Sequence, residues 1–407
     1  MAVVAIGHPG FETRLLGLRI GQAPPLVELQ LGNAYSLKNM SLAFSKIAVI
    51  FGALIFIGFA APRVNAAVRG ESPTVLGDAR QVGLAGASLA MPDSIHSAMD
   101  NPANASVEKW AISLSFQNDR VRDSRMNSDG EFREGEGKGL LASSPRFGFF
   151  FGHRLPSQET DGSTTVEVQE THFGAAYRFS DHLIAGASVI SARADWATTT
   201  TEHASAWTAA FGATYIHERF RYALAFRPSV PITGVNQPDA LRVVEIPWRL
   251  SVGASYALLS DVFLHGALIT FGGQKGARQM ASPNAPAADS FALQPRLGVE
   301  YRIVESDPWG LSVFAGGYVE PGRMEGYNAR VHTTGGVSLG FLSARASIAI
   351  DRAPGYKNVL SYIGVDILDA LIRLRAFPFL DKFKEPVTPP ADSPRLEPEH
   401  DATNRFE

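Results

Sequence analysis

From Trp110 onward, apolar residues recur at every second position. Trp110, Ile112, Leu114 and Phe116 alternate with Ala111, Ser113, Ser115 and Gln117. Leu297, Val299, Tyr301 and Ile303 alternate with Arg296, Gly298, Glu300 and Arg302, and runs centred on Phe149 and Val252 repeat the pattern. Successive side chains of a strand point to opposite faces, so each run has one apolar face and one small or charged face. The alternation predicts strands at 110–120, 145–154, 166–179, 183–197, 204–217, 220–230, 247–258, 261–272, 291–304, 310–320, 331–341, 343–351, 359–368 and 371–377. The last two overlap a second pattern. Ile367, Leu368, Leu371 and Ile372 also form one helical stripe, and without both segments the count falls from fourteen to twelve.

A soluble β-sandwich alternates too, but seven to nine strands suffice for one. The connections fall into two sizes. Those at 180–182, 259–260, 342 and 369–370 are nearly absent, whereas 118–144 and 273–290 are long and polar. Outer-membrane barrels show this asymmetry, with short periplasmic turns and longer external loops, and closure leaves no edge unpaired in lipid. The expected fold is all-β: a transmembrane antiparallel β-barrel of about fourteen strands over 110–380.

Ahead of the barrel the pattern changes twice. Residues 40–66 open with Met40 and one charge at Lys46, continue apolar from Ile47 to Ala60, and end on Val64-Asn65-Ala66. That order is the one a secretory signal peptide needs, and the apolar run is too short to span a bilayer as a helix. Residues 1–39 show no period and read as an over-extension of the coding region. Residues 67–109 are rich in Gly and Ala, lack alternation and carry Pro-Asp and Asn-Pro breaks, which suits an N-terminal plug packed in the lumen. The alternative is a loose periplasmic leader. The tail, 381–407, has five prolines and many charges and reads as disordered.

Composition narrows the function. With 37 Lys+Arg against 40 Asp+Glu, the chain lacks the basic excess a nucleic-acid partner requires. It has no cysteine, hence no disulfide, thiolate metal site or thiol nucleophile. The ten histidines form no metal-binding pair, so neither a metal nor a cofactor is expected. Gly336-Val-Ser338-Leu-Gly340 matches an esterase elbow, but Val337, Leu339 and Phe341 alternate through it. An elbow needs a strand-to-helix turn, so the pattern reads as barrel strand and the protein as no enzyme. Gly135-Glu-Gly-Lys-Gly139 lacks the frame of a phosphate loop and reads as part of a polar connection.

Ala79-Arg-Gln-Val-Gly-Leu-Ala-Gly-Ala-Ser-Leu-Ala90, followed by Asn101-Pro-Ala103, resembles the N-terminal hatch of the FadL/TodX outer-membrane transporters and of PorV-like relatives. Pro295–Tyr301, Gly316-Gly-Tyr318 with Glu320-Pro-Gly322, and Thr333-Thr-Gly-Gly336 resemble that family's C-terminal strands. The resemblance implies a plugged fourteen-stranded barrel in a Gram-negative outer membrane that carries fatty acids or aromatic hydrocarbons passively inward. It also implies hatch positions at Gly83, Gly86, Asn101, Pro102 and Ala103. Its partners would be a hydrophobic small molecule, outer-membrane lipid or lipopolysaccharide, and the barrel-insertion machinery. A PorV-like relative would instead serve protein secretion or surface attachment. The aromatic that closes the last strand of such barrels is Phe377 or Phe379 here, ahead of the tail. On the small face of the strands, Arg146, Arg178, Arg249, Arg296, Glu300, Arg302 and Arg345 are candidates to line the lumen, as a charged pore or as paired ladders that fill it.

Overall fold

A computed structural model describes residues 77–374 and Phe383, apart from 93, 108, 125–131, 156–158, 162–163, 198–200, 234–242, 273–291 and 322–328. The expectations for 1–39, 40–66, the closing aromatics and the tail therefore lie outside the described residues. No helix among those residues is long and apolar enough to cross a membrane.

The wall begins with β1 (Ala111–Asp123), β2 (Arg133–Ser143) and β3 (Phe147–Leu155), the last continued by the short β4 (Glu159–Asp161). It goes on through β5 (Thr164–Arg178), β6 (Leu183–Ala197), β7 (Thr201–His217) and β8 (Phe220–Arg227). The small hairpin of β9 (Val230–Thr233) and β10 (Val243–Ile246) follows. The wall resumes with β11 (Arg249–Ala257), β12 (Val262–Phe271), β13 (Ala292–Ser306), β14 (Trp309–Glu320), β15 (Arg330–Phe341), β16 (Ala344–Ala353) and β17 (Tyr356–Asp366). Every pairing is antiparallel, β17 returns to β1, and β3 pairs with β5. With β4 prolonging β3 and β9–β10 set apart, fourteen strands close a barrel.

Two expectations need correction, and they offset each other in the strand count. Residues 133–143, assigned to a polar connection that included Gly135–Gly139, form β2. Its glycines face inward and Glu134, Glu136 and Lys138 outward, the reverse of an apolar-out strand. Residues 371–373, expected to begin the last strand, are helical, and the rest of that expected strand, 375–377, lies outside the described residues. The helical stripe prevails as α3 (Ile367–Arg373), whose N-cap Asp366 accepts a hydrogen bond from the Asp369 amide, so the turn expected at 369–370 lies within it. Two shorter helices, α1 (Ala79–Gly83) and α2 (Ile95–Asp100), precede the wall.

Six short turns, at 144–146, 179–182, 218–219, 258–261, 307–308 and 342–343, lie at one end with the start of β1 and α3, and the two-residue turn at 354–355 lies at the other. Outward positions carry the apolar residues: Phe116, Phe149, Phe173, Trp207, Phe211 and Ile363 are all more than half exposed. No water-soluble surface of this size needs so many, and a hydrocarbon surround does. At the short-turn end aromatic rings pack in pairs, Phe147 with Tyr177 at 4.8 Å, Phe220 with Tyr256 at 4.5 Å and Trp309 with Phe341 at 4.5 Å. Such a girdle suits the lipid–water boundary.

The ladder is interrupted beside β7. Strand β8 pairs with it only from Phe211↔Phe226 to His217↔Phe220, leaving residues 201–210 without a partner on that side among the described residues. Pro228 and Pro231 have no N–H to donate, so the wall cannot continue there, and β9 pairs with β10 instead, alongside β7.

Candidate functional site

Residues 77–106 form two short helices and a 3₁₀ turn, each started by a side-chain cap. Asp78 Oδ1 accepts from the Gln81 amide at 2.8 Å while Gln81 Oε1 accepts from the Asp78 amide at 3.3 Å. Ser94 and Ser97 exchange the same pair of bonds at the start of α2. Asn101 caps the 3₁₀ turn Pro102–Ala105, with Pro102 at the first position, where its missing N–H costs nothing. These devices let a segment too short to be helical alone hold its shape.

Nearly every described residue of the segment is buried, and its contacts run right round the wall. α1 lies against β14–β17, α2 against β2, β3 and β5, and the 3₁₀ turn against β2, β3 and β5–β7. Two apolar clusters knit them together. Ala79, Val82, Leu84 and Ala85 meet Phe314, Tyr318 and Leu360, and Ile95, Met99 and Ala103 meet Leu141, Phe150 and Ile184.

The wall receives the segment with glycine. A Cβ on Gly186 would lie 2.5 Å from the Pro102 carbonyl carbon, and one on Gly298 2.8 Å from the Leu84 carbonyl oxygen. A Cβ on Gly148 would overlap Ala105, and one on Gly212 the Asn101 side chain. Those at Gly148, Gly186 and Gly298 are backbone-to-backbone approaches that no larger residue permits. Gly86 matters differently: it follows Ala85 in the left-handed region (φ 68° after φ 58°), and its amide donates to the Gln81 carbonyl at 2.7 Å, ending α1. Gly83 abuts Phe314, and its carbonyl accepts from Thr334 Oγ1 at 2.8 Å. Asn101 Nδ2 donates to the Leu89 carbonyl at 3.2 Å and to Thr214 Oγ1 at 3.1 Å, tying the segment to β7.

Charged groups complete the join. Arg80 on α1 meets Glu300 on β13 through both Nε (3.1 Å) and a terminal nitrogen. Arg302 Nε and His265 Nε2 lie 3.5 and 3.7 Å from the same carboxylate. Asp100 at the end of α2 meets Arg249 at 3.1 Å and Arg154 at 3.6 Å, and Arg154 continues to Glu170 at 2.7 Å. Glu170 also takes Arg227 at 3.2 Å. Nearer the other rim, Arg330 bridges Asp123 and Glu320, while His332 bridges Glu320 and Asp351. Arg296 bonds Gln294 at 3.1 Å and lies over the Tyr318 ring at 5.4 Å.

Of the candidate lumen residues, Arg249, Arg296, Glu300 and Arg302 are thus gathered inside the wall. Arg146 sits exposed in the turn between β2 and β3, and Arg178 folds over the next turn onto the Ser180 and Asp181 carbonyls. Arg345 stands at the short-turn mouth. There a cavity of about 580 Å³ is lined by Arg80, Ile95, Leu141, Glu300, Arg302 and Arg345 among others, and by α3. Arg373 of α3 bonds Asp369 and Asp307, whose carboxylates hold its guanidinium above its ordinary pKa. Arg80 and Glu320 fall inside the family-like stretches without having been picked out, and Asp100, Glu170, Arg227, Arg330 and His332 carry no motif. For those on strands, the one signal is a charge at an inward-parity position. Ser338 lies within β15, its Oγ accepting from Ser347 at 2.8 Å, with no elbow turn.

No protein-family model and no curated protein matches the chain. Solved structures do. The CymD monoaromatic hydrocarbon channel aligns at a TM-score of 0.54 and 14% identity, over 72% of this chain and 98% of its own. The Ralstonia pickettii toluene transporter TbuX aligns at 0.54 and 14%, over 71% and 98%. A Pseudomonas aeruginosa FadL homologue aligns at 0.52 and 13%, over 74% and 99%. At such identity the likeness establishes the fold: a closed, antiparallel, fourteen-stranded barrel of the FadL/TodX type.

Proposed function

We propose that this barrel lies in the outer membrane of a Gram-negative cell and gives small hydrophobic molecules, such as aromatic hydrocarbons or long-chain fatty acids, a passive way inward. The observation that carries this reading is a barrel with an apolar exterior whose fold is shared with hydrocarbon channels and whose centre is filled by residues 77–106. A secretion scaffold gains no support from those neighbours, two of which are described as a hydrocarbon channel and a toluene transporter. In this reading the short-turn end is periplasmic, and residues 77–106 are a plug that must shift for solute to pass.

The polarity of the interior sets a direction. Burying apolar surface gains roughly 25 cal/mol per Å², so an apolar solute is retained wherever it finds an apolar wall. The cavity at the short-turn mouth mixes Ile95 and Leu141 with Glu300, Arg302 and Arg345. Such a site holds a hydrocarbon weakly and lets it go. The interrupted ladder beside β7 offers a sideways route between the lumen and the outer half of the bilayer. Restoring backbone donors with Pro228→Val and Pro231→Val is expected to extend the β7–β8 ladder, slow amide exchange in residues 201–210 and lower uptake. Slower exchange with unchanged uptake would remove the break from the route.

The function itself is tested in intact cells that have a lipopolysaccharide leaflet. Initial uptake of labelled toluene and of oleate is compared with and without the protein. Expression is expected to raise at least one rate severalfold. A barrel that shifts on unboiled gels, as a closed barrel in the outer membrane should, yet changes neither rate, would overturn the transport reading and leave the fold standing.

A further inference from the structure

Three cations stand side by side on the outside of the wall with no carboxylate partner among the described residues. Arg122 on β1 is directly opposite Lys357 on β17, and Lys357 is directly opposite Arg352 on β16. Directly opposed residues share a face with Cβ atoms about 4.5–5.5 Å apart, and like charges so placed repel. None of the three has a carboxylate partner among the described residues; Lys357 has only the Phe132 ring, 5.8 Å away. The neighbouring outward cations differ. Arg120 pairs with Glu134 at 3.3 Å and Lys138 with Glu136 at 3.3 Å. Charge is therefore balanced on β1–β2 and left unbalanced along one row.

The height of that row identifies what faces it. Below it the same faces carry Val359, Ile363 and Val365 on β17 and Ile348 and Ile350 on β16. Lys357 is eight residues from Val365 on one strand. At about 3.4 Å per residue and a tilt near 40°, this is roughly 20 Å of height, close to the ~25 Å apolar band of such barrels. The row sits where hydrocarbon ends and headgroups begin, at the end opposite the short turns. Arginine's planar fork matches phosphate oxygens in pairs, and lysine adds a point charge between two such forks.

We propose that Arg122, Lys357 and Arg352 form a binding site on the outer wall for the phosphate groups of the outer-leaflet glycolipid, lipopolysaccharide. The site rests on the outer-membrane reading above and adds a specific lipid contact to it. The lipid supplies negative charge to three cations that otherwise repel one another.

The test uses the full mature chain, delipidated in detergent and mixed with purified lipopolysaccharide, with bound lipid counted by native mass spectrometry. Arg122→Gln/Lys357→Gln/Arg352→Gln is expected to bind at least tenfold more weakly. Lys357→Glu places a carboxylate between two arginines. It is expected to raise the unfolding temperature of the lipid-free barrel while abolishing the stabilisation that lipopolysaccharide gives the wild type. Dephosphorylated lipid A should bind as poorly to the wild type as the intact lipid binds to the triple variant. Arg146→Gln/Arg219→Gln, at the opposite end, should bind normally. Equal binding by the triple variant and the wild type overturns the proposal, as does equal binding of the dephosphorylated lipid. Competition by millimolar inorganic phosphate would show a general anion site instead and also overturns it. A wild type that shows no shift on unboiled gels and stays in the soluble fraction refutes the membrane reading itself, an outcome separate from loss of lipid selectivity in a properly folded barrel.

Discussion

Deleting residues 77–106 is expected to convert a barrel that passes almost no ions into an open pore. The segment touches strands on every side of the wall, and its two apolar clusters and the glycines of β3, β6, β7 and β13 meet over it. Without it the small residues that received it and the charged side chains beside them border the space it occupied, and water fills that space. The charged groups that faced the segment, Glu300 and Arg249, would then be hydrated rather than stranded, so the wall is expected to survive. Single-channel recording in planar bilayers should show steady conductance roughly tenfold or more above the intact chain. A deleted chain that shifts on an unboiled gel yet conducts no better than the parent would show that residues 77–106 do not close the lumen.

A larger effect on stability is expected from a smaller change. Glu300→Ala removes the carboxylate that Arg80 meets through two nitrogens, while the segment and its packing stay in place. Breaking one side of a buried ion pair typically costs about 3–5 kcal/mol, because the remaining charge keeps its desolvation penalty. Arg80→Leu/Glu300→Leu removes both charges and is expected to come much closer to the parent. The comparison is made by chemical unfolding in lipid or detergent, alongside channel recording, where Glu300→Ala should show intermittent openings absent from the double variant. If the single substitution costs no more than an exposed pair does, about 1 kcal/mol or less, α1 is held by its apolar contacts alone.

Most of the wall was legible because lipid and lumen impose opposite demands on neighbouring residues, and alternation records that opposition. Arg296, Glu300 and Arg302 could be placed on the inner face from this alone. β2 was hidden because its inner positions are glycines, Gly139 making room for Ile95 and Gly135 and Gly137 for Asp119 and Gln117, and its outer positions beyond Leu140 are charged. The alternation at Gly135–Gly139 is real but carries no hydropathy signal. The segment after β17 was ambiguous because Ile367–Ile372 satisfies both periods, and Asp366 as a cap decides for helix. Arg146 keeps the inward parity of β3 one residue before that strand begins, and Arg178 keeps that of β5 at its last residue, where the chain turns. The partners of the segment were out of reach: nothing local relates Arg80 to Glu300, 220 residues later, or Asp100 to Arg249.

The glycines that receive residues 77–106 have a consequence for how freely such parts can be exchanged. At Gly148, Gly186 and Gly298 the wall recognises main chain, and main chain has the same outline whatever sequence it carries. A segment from another barrel of this fold, with its small residues at the same spacing, should seat here once its few charged anchors are matched. The fit is strict about bulk and nearly indifferent to identity, so sequences in this region can drift far apart while the closed centre keeps its form.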